Sequence, residues 1–532
     1  MIRAKLRRLR DKEVRKAIGL IMAGKMLGIG ILLLGLKGFG WYFGASASAA
    51  TLHRAAVTVN QTISPINTIW VLVTAFLVFF MQAGFMGLEA GFARSRETVN
   101  VLMECVFDTC LCGLLYWAFG FAFQFGNGNG FIGHQYFFLH NIPNAYGTTG
   151  VAFLAFWLFQ FAFADTASTV TSGAMVGRTA FLGDIYYSIA VSGFLYPIFG
   201  HWAWGPGGWL GNMTVPFFAH LVGGGVVFRD FAGSTVVHTV GGVIALTGAI
   251  ALGPRLGRKF KRDGGGPMPP HDLTWGAIGG VILWFGWYGF NPGSTLSAMD
   301  WQGIGRVSAN TTIAACAGGM AAVVWAFPKL KKWDLGLSVN GFLAGLVAIT
   351  CPCYWVSPFG AVIIGLVAGV VAVVGIELLE HLRIDDPIGA VPVHMFAGIW
   401  GTLSLGLLAT GKYGVPTPTG FDTSTVVRGL FYGGGLDQLK AQLVGSLACV
   451  ILVGGASLII MMFLMKVGVL RLSKEHELEG MDIIEHGTVA YHVEFGQGMS
   501  YTTPPNLTNG HGREVASPEE EEPVTVSSTE DP

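Results

Sequence analysis

Two stretches of this sequence place a histidine eight positions after an aspartate at the mouth of an apolar run: Asp230-Phe-Ala-Gly-Ser-Thr-Val-Val-His238 and Asp386-Pro-Ile-Gly-Ala-Val-Pro-Val-His394. An ionisable side chain at bilayer depth is costly, so it points to function unless packing explains it. A lone intramembrane histidine is best read as a hydrogen-bonded packing residue. Two at matching positions are better read as a pair that handles a polar or protonated solute, because imidazole donates, accepts and relays protons near neutral pH. Asp230 and Asp386 stand at helix starts, where a carboxylate satisfies free N–H groups and complements the dipole. Direct contact with a substrate is the alternative role. At about 1.5 Å per helical residue, each histidine lies about 12 Å beyond its aspartate.

The elements that carry these residues are membrane helices. The chain has 532 residues, 52% hydrophobic and 12% charged, with 78 glycines and a mean hydropathy of +0.55. Soluble domains carry about 25% charged residues, so most of this chain is solvated by lipid. About 20 apolar residues make one crossing, and eleven such segments follow the leader, centred near 80, 113, 160, 190, 242, 283, 315, 342, 366, 401 and 454. The connecting charges alternate accordingly. Arg94, Arg96, Arg178, Arg255, Arg258, Lys329, Lys331, Arg383, Lys466 and Arg471 fall on one side, whereas 126–149 has no Lys or Arg and 201–230 has only Arg229. That pattern places the first end outside and the tail in the cytoplasm of a multi-pass protein of the cell membrane. The formal net charge is zero, with no basic stripe and no zinc-finger spacing, so nucleic acid is not an expected partner. Seven cysteines lie mostly in apolar runs and suggest packing, not a disulfide framework or metal site; Cys351-Pro-Cys353 is a weak exception. No cofactor is implied.

Residues 1–50 combine a basic start, an apolar run and the small residues Ala45 to Ala50, the order of a secretory signal. Lys25 and the aromatics Trp41 to Phe43 suit an uncleaved anchor instead. The expected organisation is signal or anchor at 1–50, membrane domain at 51–470, cytoplasmic segment at 471–492, and a disordered acidic tail at 493–532.

The aspartate–histidine pairing has a companion. Gly84-Phe-Met-Gly87-Leu-Glu-Ala-Gly91 in the first span matches Gly286-Trp-Tyr-Gly289-Phe-Asn-Pro-Gly293 in the sixth. Spans one and five thus correspond to six and ten. Each half holds five helices, an odd number, so the second half inserts upside down. The fold class is an all-α integral membrane protein with a five-plus-five inverted repeat, and such repeats hold the substrate site near the midplane.

Phe163-Ala-Asp-Thr-Ala-Ser-Thr-Val-Thr-Ser-Gly-Ala-Met-Val-Gly-Arg178 resembles a signature of the ammonium transporter (Amt/Rh) family. So do Asp230 to His238, Gly286 to Ser294, Asp385 to His394, and Glu479-Gly-Met-Asp…Glu485-His-Gly-Thr-Val-Ala-Tyr491. The similarity covers about residues 65 to 492 in order, and Trp204 favours the Amt branch. It implies a homotrimer with one pore per subunit. The outer ammonium site would be formed by Trp204, Phe163 and Ser294, with Trp287 nearby. Phe163 and Phe290 would stack as a gate, and His238 and His394 would line the pore. Methylammonium would also bind, and a PII-type regulatory protein would be a partner on the cytoplasmic face. On residue type alone, Trp204 and Trp287 also suit an interfacial belt, and the phenylalanines suit ordinary core.

Some positions depart from the family pattern. Asp165 stands two residues past Phe163, where a small or neutral residue is expected; it is either hydrogen-bonded in its helix or an added charge near the pore. Gly177 replaces a usual glutamate before Arg178. Glu104 and Asp108 lie one turn apart in span two and are expected to face protein or a polar interface, and Glu89 is expected to be buried and hydrogen-bonded. Two other function classes compete with transport. An ammonium sensor could share the fold, although only a short acidic tail follows Tyr491. An intramembrane enzyme would need a nucleophile motif or a metal cluster, and neither accompanies the histidines.

Overall fold

The computed structural model describes residues 63–223, 225–417, 420–422 and 425–491. The expected leader at 1–50 and acidic tail at 493–532 lie outside the described residues. The described residues up to Ala490 form one compact unit. The described fold is helical, apart from two small antiparallel hairpins at Ala145–Tyr146 with Val151–Ala152 and at Val415–Thr417 with Gly420–Asp422.

Each of the eleven centres read from the sequence falls within a helical run. In chain order these are α1 (Pro65–Phe92), α2 (Ser95–Phe125), α3 (Phe153–Ser172), α4 (181–204), α5 (Ser234–Leu252), α6 (Leu273–Gly293), α7 (Trp301–Leu330), α8 (Leu335–Thr350), α9 (Pro358–Leu382), α10 (Val391–Leu408) and α11 (Asp437–Lys466). Eight of them are long and apolar enough to cross a membrane. The other three are α4, which carries Asp184, three tyrosines and His201; α6, diluted by glycine, tryptophan and tyrosine; and α8, which is only 16 residues long. Helix starts are set by short polar side chains. Ser64, Asp272, Asp300, Asp334 and Ser357 each accept from an N–H of the first turn, and Pro65 and Pro358 supply a fixed φ at the first helical position.

The surface and interior are inverted relative to a water-soluble protein. Large apolar side chains such as Phe76, Leu114, Val281, Met320, Ile451 and Ile459 face outward, while Glu89, Glu104, Asp108, Asp165, Asp184 and His201 are buried. Lipid solvates the first set, and the protein must satisfy the second. The closest helix pairing joins α1 to α6. Its glycines are what let the backbones meet: a Cβ on Gly91 would lie 2.3 Å from the Gly276 nitrogen.

Residues 471–490 fold back onto the ends of the membrane helices. Arg471 donates to the carbonyls of Leu252 and Pro254 (2.5 and 2.8 Å) and to Glu477 (2.9 Å). Asp482 accepts from the Asn100 N–H at the start of α2 (2.9 Å).

Candidate functional site

The Asp230 carboxylate accepts four backbone N–H groups, those of Gly233, Ser234, Thr235 and Val236, at 2.8–3.0 Å. Asp386 accepts three, from Gly389, Ala390 and Val391, at 2.9–3.0 Å. Every carboxylate oxygen is thus engaged by the chain, which supports the cap role for both residues. After each cap the helix opens as a wide π turn, Ser234–Thr239 and Val391–Phe396, and each turn carries its histidine. Four residues beyond the histidines stand Gly242 and Gly398. A Cβ on Gly242 would lie 2.4 Å from the Met395 nitrogen, and one on Gly398 would lie 2.5 Å from the Ser234 carbonyl. Each glycine therefore lets its helix pass close over the other's π turn.

That crossing brings His238 and His394 together. Their Nδ1 atoms are 3.2 Å apart and their ring centroids 5.3 Å apart at 26°. One Nδ1 must donate and the other accept. Both rings are buried, and His238 Nε2 makes no hydrogen bond among the described residues. His238 also stacks on Trp287 (5.1 Å, 21°) and Phe290 (5.4 Å, 27°).

Beyond Phe290 the rings continue. Phe163 and Phe290 stack at 4.0 Å and 21°, and Phe163 meets Trp204 edge-on at 6.3 Å and 71°. Past this stack opens a cavity of about 370 Å³ whose walls include Phe163, Trp204, Gln160, Phe231, Ser294 and Trp355. The Trp204 indole N–H donates to the Asp230 carbonyl (2.7 Å), so the helix that presents His238 also orients this ring. Ser294 Oγ donates to the Phe290 carbonyl (2.8 Å), which leaves its lone pairs free to accept. Trp287 corrects an expectation. Anticipated beside the outer site, it does not line that cavity; it is fully buried against His238, with its N–H on Thr350 Oγ1 at 2.9 Å. Its place is set by helical phase, since Trp287 and Phe290 lie one turn apart and only one of them reaches the gate.

On the other side of the histidines lies a small cavity of about 10 Å³ bordered by His394, Asn340, Val393 and Glu89. Glu89 was legible as a charged residue on a glycine face, but its place at this cavity was not. Among the described residues no group of His, Cys, Asp and Glu could hold a metal ion. Cys351 and Cys353 are free and buried; the Cys351 N–H donates to Ser234 Oγ (2.6 Å) and helps fix the start of α5.

The order of these groups is a vestibule, an aromatic stack, a buried imidazole pair and a narrow inner cavity. Comparison with known proteins says which family is built this way. The model of the Ammonium Transporter Family matches residues 69–491. The chain belongs to the ammonium transporter family. It is 42% identical over 448 residues to ammonium transporter Amt2 of Archaeoglobus fulgidus, covering 84% of this chain and 92% of that one. Its identity to ammonium transporter 1 member 3 of Solanum lycopersicum is 37%, covering 80% and 93%. Among solved structures it resembles a chain named Sensor Amt Protein (TM-score 0.69, 34% identity, 79% of this chain and 98% of that one). It also resembles Saccharomyces cerevisiae Mep2 (TM-score 0.69, 25% identity, 78% and 92%). This is a family of multi-pass transporters and channels, not of enzymes.

Two departures from the ammonium transporter pattern find their place in the structure. Asp165 borders neither cavity; it is fully buried beside Gln82 and Thr109, on the side of α3 turned to α1 and α2. Gly177, where the family usually has glutamate, has φ +85°, and a Cβ there would lie 2.5 Å from a carboxylate oxygen of Glu97. Glu97, from the start of α2, thus fills the space where a side chain at 177 would lie, and it pairs with Arg94.

Proposed function

We propose that this chain recruits ammonium in the vestibule bounded by Trp204, Phe163 and Ser294, removes a proton there, and conducts ammonia past Phe163 and Phe290 along His238 and His394. The observation that carries this reading is the stack of Phe163 on Phe290 at 4.0 Å, directly between the vestibule and the joined imidazoles. Indole and phenyl faces attract a cation by about 2 kcal/mol or more when water is excluded, and Ser294 can accept one N–H. Potassium has a similar charge and size, so attraction alone discriminates poorly. Passage between two phenyl rings strips a cation of its water, at a cost of tens of kcal/mol for an uncompensated charge. Ammonium alone avoids that cost, by leaving its proton behind.

The wider frame belongs to the same proposal. All eleven helical runs cross the membrane, in two five-helix halves of opposite orientation plus a last helix. Support comes from the matched caps, π turns and glycines of α5 and α10. The N-terminal end of α1 is outside and the segment after Arg471 is cytoplasmic, in line with the alternating basic loops. The pore repeats in a homotrimer at the cell membrane, methylammonium also enters, and a PII-type protein is a regulatory partner on the inner face.

A second reading has one observation in its favour, the likeness to a chain named Sensor Amt Protein: an ammonium sensor that binds in the vestibule without flux. Purified protein in liposomes under an ammonium gradient separates the two. Transport predicts ammonium-evoked current or uptake and no response to an equal potassium gradient. Correctly inserted protein that binds ammonium but gives neither would overturn transport and favour sensing.

A further inference from the structure

The buried carboxyl of Glu89 has no part in the pore described so far, yet it shares the inner cavity with His394. That cavity, of about 10 Å³, is about the smallest that holds one water molecule, and a water needs two to four polar partners. His394, Glu89 and Asn340 are the polar residues that border it. Glu89 is 1% exposed in the middle of a lipid-solvated protein, where a charged group is costly and typically marks an ion or proton path. Its own contact is modest, a hydrogen bond from Ser172 Oγ at 3.1 Å. Ser172 also bonds the Thr169 carbonyl, so its single proton is shared. The other titratable groups facing Glu89 are Asp184 of α4 and Glu104 and Cys105 of α2, none of which is basic. No ion pair with these groups fixes the charge of Glu89, and its lone pairs are open to a proton.

We infer that Glu89 is the proton acceptor on the inner side of the histidine pair, taking up through one water the proton that the imidazoles pass inward. The step balances once His238 Nε2 has taken up the incoming proton and the hydrogen shared between the two Nδ1 atoms has shifted to His394. The His394 N–H bond breaks and its proton joins the water, which hands one of its own protons to a Glu89 oxygen. His394 keeps the lone pair, and Glu89 becomes a neutral acid. Loss of that proton to the inner compartment restores the carboxylate.

This inference rests on the pore reading above, so the experiment tests both in one preparation. Full-length protein in liposomes is assayed for ammonium-evoked current and, in parallel, for methylammonium uptake, and the ratio of charge to uptake is the readout. Glu89→Gln keeps an acceptor for Ser172 and removes the proton site; the ratio should fall about tenfold. Glu89→Asp, which keeps a carboxyl, should recover part of it. A wild-type ratio in Glu89→Gln overturns the inference. So does an equal loss of current and uptake, which marks a merely structural role. If Glu89→Gln does not insert, Glu89→Asp decides alone: withdrawing the carboxyl from the cavity by one methylene should lower the ratio, and an unchanged ratio counts against Glu89. His394→Ala is measured alongside. If it alone behaves as wild type, the pore reading fails; if it is altered while Glu89→Gln is normal, only the role of Glu89 fails.

Discussion

At the scale of single residues, the vestibule has a simple test. The Trp204 ring is held by its N–H on the Asp230 carbonyl and borders the vestibule; the Asp230 carboxylate, which also borders it, is engaged by four backbone N–H groups, so the ring face is an attraction a cation could find there. Trp204→Leu keeps apolar bulk and removes the quadrupole. Initial uptake measured against concentration should show half-saturation raised by about two- to thirtyfold, for a loss of about 0.5–2 kcal/mol; an unchanged value would leave Trp204 a belt residue. The histidines are read through selectivity. His238→Ala or His394→Ala should alter ammonium over potassium discrimination while the protein stays folded, since each ring leaves space beside a cavity or stack and not a collapsed core. Unaltered discrimination in both variants would remove the twin-histidine role. The histidines were legible because ionisable side chains are rare in apolar runs; with 38 phenylalanines in the chain, the aromatic residues took their roles only from the family resemblance. Trp287 was legible as aromatic but not by position: it and Phe290 both stack on His238, but only Phe290 also stacks on Phe163, and sequence spacing does not reveal which turn reaches the gate.

At the scale of elements, the aspartate eight residues before each histidine proved the most informative spacing in the chain, because a cap works through local geometry that a sequence can encode. What the spacing could not show is the π turn between cap and histidine. That depends on the other helix pressing a glycine against it, at Gly242 over Met395 and at Gly398 over Ser234. Asp230→Ala should damage the protein more than its distance from the imidazoles suggests. It unpairs four N–H groups, removes a cap worth about 0.5–2 kcal/mol, and frees the carbonyl that orients Trp204. A clearly lowered melting temperature in detergent with reduced uptake is expected; normal values of both would contradict the cap.

For the whole molecule, alternation of basic loops was the topological signal in the sequence, but it hid a structure. Arg178, Arg255 and Arg258 do not simply face a lipid surface. Asp385 takes Arg255 in a two-pronged pair at 2.9 and 3.0 Å and Arg258 at 3.3 Å, while Arg178 donates to the Asp385 carbonyl at 2.7 Å. The doubled acid Asp385-Asp386 therefore divides its work: one residue ties the inner loops together and the next caps α10. Burial alone would raise the Asp385 carboxyl, but its hydrogen bonds with Arg255 and the Arg255 and Arg178 charges hold it well below the usual carboxylate range. A depressed folded value gives a contribution that is full above the unfolded value near about 3.9 and is lost as pH falls through the folded one. Asp385→Asn should melt well below wild type near neutral pH, since unpairing a buried ion costs about 3–5 kcal/mol. The gap should narrow as pH drops below about 4; a gap that stays constant would refute this.

The meeting of two like nitrogens has a consequence for bookkeeping in time. When both rings are neutral and joined Nδ1 to Nδ1, the donor's Nε2 is bare and the acceptor's Nε2 carries hydrogen. The pair is a turnstile with two settings, mirror images of each other. A proton taken up at one end and released at the other leaves it in the opposite setting, and a second proton in the same direction must wait for both rings to reset. Ammonia, which carries no surplus proton, needs no reset. If the pair carries protons as proposed, each one must wait for this ring rearrangement, whereas ammonia would not. Nitrogen-15 spectra of the resting protein should show the two tautomers in equal amounts; a single tautomer on both rings would be incompatible with the pairing.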